Sequence, residues 1–243
     1  MSVARDKELS LIQHLDELRR RMYVMAIGVG VMTAISFTFA ETMIRILLLP
    51  SGQVSCITLA PTEGFATFMR VALFSGIALA MPIIVWQVFA YVDPALMPKE
   101  RRFVFRLGPF VVLLFVLGML FCYFLLLPQA LGFLLNFGGG VFQTELRCAE
   151  YISFATTFIL LLGVVFEVPA VMFALVKVRV VSRDRLAGVR RFVFLGVFVV
   201  AAIITPTPDP FNQSLVAIPM YLLYELGLFL SRFAGAPRAA SAK

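Results

Sequence analysis

The sequence is short of the side chains that most enzymes work with. It has one histidine and one tryptophan in 243 residues, and only 14% of the chain is charged. There is no HExxH pair, no Ser/His/Asp set and no second histidine to complete a metal site. The three cysteines do not make a zinc site of ordinary spacing. Gly138-Gly-Gly140 is not followed by a phosphate-cradle lysine, so no nucleotide site is read there. No enzymatic activity, cofactor or metal is expected. The shortage of charge also excludes a soluble domain of this length. What is present instead is apolar: hydrophobic residues make up 61% of the chain and the mean hydropathy is +0.96.

The chain therefore reads as one integral membrane domain over 1–243, all-α and polytopic. Six apolar segments can be marked, at Met22–Ala40, Phe65–Val92, Leu107–Leu135, Tyr151–Val176, Phe192–Ile204 and Ser214–Leu230. Residues 1–21 form a cytoplasmic amphipathic segment, 22–230 the six spans and 231–243 a cytoplasmic tail. Within the first segment Leu11, Leu15, Leu18 and Met22 fall at helical spacing, so a helix is expected to lie on the membrane surface before turning into the first span. Glu17 and Arg21 are one helical turn apart and can pair. His14 reads as a surface or capping residue. Of the 21 Lys and Arg residues, only Arg45, Arg70 and Arg147 fall outside the N-terminus, the second and fourth loops and the C-terminal tail. That asymmetry places both termini in the cytoplasm. The net charge of +7 is thus a topology signal, and no nucleic-acid partner is expected. No cleavable leader is read, because the first apolar run follows a polar segment and five more follow it.

Small residues recur every four positions at Ala26, Gly30 and Ala34, and again at Ala72, Gly76 and Ala80, a spacing that lets helices approach closely in lipid. Pro82 is expected to kink the second span, and the third span to end near Pro128. The outer loop from Glu41 to Gly64 is long enough for short capping helices. Cys122 lies inside a span and packs as a small hydrophobe. Cys56 and Cys148 both fall in outer loops. A disulfide is chemically allowed there, and two separated free thiols are the other reading. The last two segments are short. Phe192–Ile204 covers roughly 20 Å of helix against a hydrocarbon core of about 30 Å. The prolines of Thr205-Pro-Thr-Pro-Asp-Pro-Phe-Asn-Gln213 are expected to keep that linker non-helical. A concave bundle with one short side follows, with Asp209, Asn212 and Gln213 near membrane depth.

Two acids stand out. Glu167 lies within an apolar run, where a charged side chain costs about 2.5–3.5 kcal/mol on insertion scales. It therefore faces protein or a wet cavity rather than lipid. Glu100 sits between Lys99 and Arg101 in a loop stiffened by Pro94 and Pro98. It reads either as a solvated acid neutralised by its neighbours or as an acceptor for a guanidinium.

Four motifs carry a resemblance. His14-Leu-Asp-Glu-Leu-Arg-Arg-Arg21, the Pro94-Ala-Leu…Lys-Glu-Arg-Arg102 loop, Phe166-Glu-Val-Pro169, and Thr205-Pro-Thr-Pro-Asp-Pro-Phe-Asn-Gln-Ser214 with Ala217-Ile-Pro-Met220 together resemble the TatC family of the twin-arginine protein translocase. The likeness runs from residue 8 to about 233. It implies a receptor for signal peptides bearing two consecutive arginines, on proteins exported already folded. It also implies TatA- and TatB-type single-span partners, self-association, drive by the proton-motive force, and residence among the lipids of the bacterial inner membrane. The family's arginine-binding acids map onto Glu17 and Glu100, with Arg19, Tyr91 and Pro94 in support. Tyr91 stands where the family often has phenylalanine, and Asp93 where many members have a small neutral residue. Glu167, Asp209 and Gln213 match the family's intramembrane and outer-loop polar positions, so they are candidates for contact with an inserted signal peptide or a partner's span. The competing readings are a secondary transporter or ion-coupled carrier that uses Glu167, and a structural membrane scaffold.

Overall fold

The computed structural model describes residues 11–51, 56–92, 98–136, 146–205 and 209–234. The chain is almost wholly helical: α1 Leu11–Phe37, α2 Ala40–Leu48, α3 Pro61–Val92, α4 Pro98–Phe121, α5 Leu127–Asn136, α6 Cys148–Val165, α7 Val168–Lys177, α8 Arg183–Gly188, α9 Arg190–Ile204 and α10 Pro210–Leu230. Four helical runs are long and apolar enough to cross a bilayer, at Pro61–Val92, Arg101–Leu135, Cys148–Lys177 and Pro210–Ala234. With α1 and the shorter α9 they make six. Large apolar side chains such as Ile27, Phe124, Leu195 and Ile203 stand exposed around the bundle, a surface that suits lipid and not water.

Prolines decide where the helices are interrupted. Pro169 has no N–H to return to the carbonyl of Val165, so the fourth span steps at Phe166–Glu167 and restarts with Pro169 in the first turn of α7, where a missing donor costs nothing. Pro128 acts differently from expectation. The third span does not end there. A π-helical stretch at Cys122–Leu126 lies just before it and absorbs the lost donor, and α5 carries the span on to Asn136. Pro82 lies inside α3, which is continuous from Pro61 to Val92. Pro210 begins α10, so Pro210–Gln213 are helical and not linker. Its fixed φ suits the first helical position, and Asp209 before it caps the helix. The expected boundary at Ser214 is therefore four residues late. Gly138–Gly140 lies outside the described residues.

The N-terminal helix also departs from expectation. It does not turn at Met22: α1 is one helix from Leu11 to Phe37, about 40 Å long. No proline or capping sequence interrupts it, so the amphipathic turns continue directly into the span. It packs along α3, whose expected stripe of Ala72, Gly76 and Ala80 is buried, but not through its own expected stripe. Ala26, Gly30 and Ala34 are all exposed. The contact uses the next register, where a Cβ on Gly76 would come within 2.6 Å of the Thr33 backbone and one on Gly28 within 3.2 Å of Ile83. Small residues fall on more than one face of α1, and packing takes the one with Gly28 and Thr33 rather than the Ala26, Gly30, Ala34 spacing.

The core is centred on α6. Ile152, Ala155, Phe158 and Leu162 are fully buried there, against Cys122 and Leu126 of the π-helical turn and Val216 and Ala217 of α10. At one end of the bundle, the short parallel strands Cys56–Ile57 and Leu146–Arg147 pair and Cys56 is disulfide-bonded to Cys148, with Cα atoms 5.0 Å apart. This is the disulfide end. The opposite, basic end carries the first turns of α1, the end of α3, α8 and the N-terminus of α9.

Candidate functional site

One of the predicted site residues, Tyr91, meets His14 at the basic end. The His14 ring of α1 stacks on the Tyr91 ring near the end of α3, with centroids 4.5 Å apart. One turn further along α1, Glu17 pairs with Arg21 at 2.5 Å, and Arg21 Nη1 donates to Gln87 Oε1 of α3 at 3.1 Å. The start of α1 is thus held on the last turns of α3 by one stack and one hydrogen bond. His14 is a half-buried packing group rather than a solvated cap. Glu17 and Arg21 are also half-buried, so this pair has more value than a fully solvated one. Arg19 points elsewhere. It is exposed, donates to the Tyr23 hydroxyl at 3.4 Å and lies 5.6 Å from that ring's centroid, so the structure does not bring it to Glu17. Asp93, Pro94 and the Glu100 side chain lie outside the described residues; the backbone of Glu100 is in the first turn of α4. Nearby on α4, Phe103 packs on Phe173 and carries the Lys177 ammonium 5.8 Å from its centroid.

Glu167 lies deeper, at the step between α6 and α7. Its backbone carbonyl accepts from Val171 N–H at 2.9 Å and its N–H reaches Val164 at 3.1 Å, so the main chain at the step is satisfied. The side chain is not: Oε1 is buried with no hydrogen-bond partner among the described residues. It faces a groove of about 260 Å³ between α3, α4 and α7, otherwise apolar and lined by Val85, Val88, Val92, Val111 and Ala170 among others. A carboxyl oxygen with no donor in an apolar setting is costly until a ligand supplies one. The groove runs along the same turns of α3, Met81 to Val92, whose other face holds Gln87 and Tyr91 against α1. It therefore runs from the last turns of α3 to Glu167.

Asp209 and Gln213 do structural work. Asp209 caps α10 by accepting from the Asn212 N–H at 2.7 Å and from its side-chain amide at 2.9 Å. Gln213 Nε2 donates to the Phe198 carbonyl of α9 at 2.9 Å and ties the short hairpin together.

Several polar groups were not legible in the sequence. Arg147 pairs with Glu63 at 2.9 Å and Glu150 at 2.5 Å, while Glu63 accepts from the Leu59 N–H at 2.9 Å. Tyr123 and Tyr151 donate to the Ile46 and Leu47 carbonyls of α2 at 2.7 and 2.5 Å, satisfying acceptors that the end of a helix leaves open. At the other end Arg190 pairs with Glu225 at 2.9 Å. These contacts join residues far apart in sequence, and no local pattern announces them. Among the described residues, no group of three His, Cys, Asp or Glu side chains could hold a metal ion.

Comparison with known proteins agrees with this geometry. The sequence model of the family described as Sec-independent protein translocase protein (TatC) matches residues 13–219. The Sec-independent protein translocase protein TatC of Carboxydothermus hydrogenoformans is 36% identical over 230 residues, covering 94% of this chain and 95% of the relative. That of Aquifex aeolicus is 37% identical over 232 residues, covering 93% and 96%. A crystal structure of a twin-arginine translocase receptor, TatC, superposes with a TM-score of 0.82 at 38% identity, over 91% of this chain and 99% of the other.

Proposed function

The chain belongs to the TatC family of Sec-independent protein translocase proteins, and we propose from this that it receives twin-arginine signal peptides in a bacterial inner membrane, with both termini cytoplasmic. The basic end then faces the cytoplasm and the disulfide end the oxidising side. In this reading the peptide's two guanidinium groups engage Glu17 and Glu100, beside Tyr91 and the stiff loop at Pro94. Carboxylates bind guanidinium groups bidentately, and this geometry separates arginine from lysine. At Glu17 an incoming guanidinium takes over the carboxylate from Arg21, which keeps Gln87 as an acceptor. One charged pair replaces another, so the carboxylate is not left bare. Arg19, exposed beside Tyr23, belongs to the rim of this surface rather than to the pair.

The observation that carries the reading is the groove. An apolar channel leads from the turns of α3 beside Tyr91 to a buried carboxyl oxygen without a donor. The apolar segment that follows the arginines in a signal peptide matches such a channel, and a backbone N–H or hydroxyl of the inserted peptide, or of a partner's span, satisfies Glu167. TatA- and TatB-type single-span proteins and further copies of this chain complete the translocating assembly. Asp209 and Gln213 contribute by holding the short α9–α10 hairpin in shape for those partners.

The test is co-purification of a folded precursor with the membrane-extracted protein, beside the same precursor with its arginine pair changed to lysines. The arginine form is retained and the lysine form is not. Glu100→Gln lowers retention of the arginine form about tenfold or more, from the 1.5–3 kcal/mol of a charged hydrogen bond. Equal retention of both precursors overturns the reading.

A further inference from the structure

Among the described residues, Arg70 is the one cation of the disulfide end that the ion-pair network leaves out. It lies on the third turn of α3, about 13 Å along the axis from Pro61, and is exposed. Among the described residues it makes no hydrogen bond or ion pair, whereas Arg45 is paired with Glu41 and Arg147 with Glu63 and Glu150. It opens into a cavity of about 510 Å³ between α3, the first turns of α6 and the end of α9. Glu150, Ser153 and Thr157 line that cavity along α6, and Phe154, Ile203 and Thr205 supply the rest of the wall.

An arginine within a membrane span requires an anion or water at its depth. The short α9 sets that depth. Its 15 residues cover about 22 Å, less than a hydrocarbon core of about 30 Å. A bilayer meeting this flank thins or dips to match it. Ile203, Ile204 and Thr205, where α9 ends, line the same cavity as Arg70, so the headgroup level falls to the guanidinium.

We propose that this cavity holds the headgroup of one phospholipid with a primary-amine head, its phosphate on Arg70 and its ammonium on Glu150. Guanidinium binds phosphate oxygens in a planar, two-bond fork. Glu150 gives one carboxylate oxygen to Arg147 at 2.5 Å, and its side chain stays 67% exposed. A carboxylate has acceptor sites to spare for an ammonium. Ser153 and Thr157 add hydroxyl groups on the same face of α6, and the exposed Ile203 and half-buried Phe154 give the acyl chains an apolar wall. Charge balance selects the head. Among the described residues around the cavity, Arg70 and Arg147 against Glu63 and Glu150 sum to zero, so a zwitterion adds no uncompensated charge there, whereas an anionic lipid adds one. A quaternary amine carries no N–H for Glu150 and is the poorer ligand.

The experiment is native mass spectrometry of the full-length protein in detergent, supplied with equal amounts of phosphatidylethanolamine, phosphatidylglycerol and phosphatidylcholine. The wild type retains phosphatidylethanolamine several-fold over the other two. Arg70→Gln lowers that retention several-fold, and Arg70→Lys restores part of it. Glu150→Gln turns the preference toward phosphatidylglycerol. Arg45→Gln, at an exposed arginine outside the cavity, changes nothing. The proposal is overturned if the wild type shows no preference for phosphatidylethanolamine, or if Arg70→Gln and Arg45→Gln behave alike. The wild-type preference is measured without any variant, so a variant that misfolds leaves the proposal exposed to refutation.

Discussion

The two ends of this bundle use their polar groups in opposite ways. At the disulfide end a covalent bridge, two short paired strands, the Glu63–Arg147–Glu150 cluster and two tyrosine hydroxyl groups tie α2, α3 and α6 together. At the other end and in the groove leading from it, the start of α1 is held on the last turns of α3 by a ring stack and one hydrogen bond, and Glu167 presents a buried oxygen with no donor. One end is closed by contacts that saturate each other. The other also has ion pairs, Glu17–Arg21 and Arg190–Glu225, but opens onto a groove where one buried carboxyl oxygen has no donor among the described residues. The proposed receptor role uses both: a rigid reference that fixes helix positions, and a surface with a polar group that a bound peptide would complete.

Changes at the closed end should cost stability and spare binding, and changes at the open end should do the reverse. The largest effect is expected from the disulfide. Its cysteines are 92 residues apart, and breaking it with Cys56→Ala removes about 2–4 kcal/mol. Thermal unfolding in detergent reads the loss, while precursor retention stays as in the wild type. Next is Gly76→Leu, whose side chain has no room beside the Thr33 backbone. It costs about 1–3 kcal/mol by overpacking, seen as a lower unfolding temperature and easier proteolysis of α1. Glu167→Leu tests the open end. Replacing a buried acceptor that has no donor by an apolar side chain of similar size stabilises the free protein by about 1–3 kcal/mol, while precursor crosslinking in the groove falls. A drop in both stability and binding would make Glu167 a structural acid and blur the contrast between the ends. The smallest effect is Arg147→Gln. The pairs it breaks are partly exposed, so unfolding shifts by less than about 1 kcal/mol.

Much of the architecture was legible in advance, because lipid imposes simple rules. Runs of apolar residues mark spans, and the placement of Lys and Arg separates the two ends. Errors came where one residue type has two local meanings. Proline alone predicts a break at Pro128 and Pro210, but a π-helical turn precedes the first and the second occupies a helix start, capped by Asp209. Small residues on α1 offered more than one packing face, and the one through Gly28 and Thr33 was taken. The site was half legible. Glu167 is conspicuous because an acid in an apolar run is expensive, and the Glu17–Arg21 pair follows helical spacing. The partnerships of His14 with Tyr91 and Arg21 with Gln87 span most of two helices, so only the fold could bring them together. Arg70 was read as a topology marker; its place in a cavity beside Glu150 depends on the short α9.

The central claim is that the groove ending at Glu167 receives the apolar segment of a twin-arginine signal peptide. A photocrosslinking residue at Val171 or Ala174, both in the groove wall, measures this directly, with Leu195 on the exposed surface of α9 as the reference position. Crosslinks to the arginine-pair precursor from the groove positions, absent at Leu195 and lost with the lysine-pair precursor, are the predicted result. Crosslinking of equal strength at Leu195, or from the groove to both precursors alike, would contradict it.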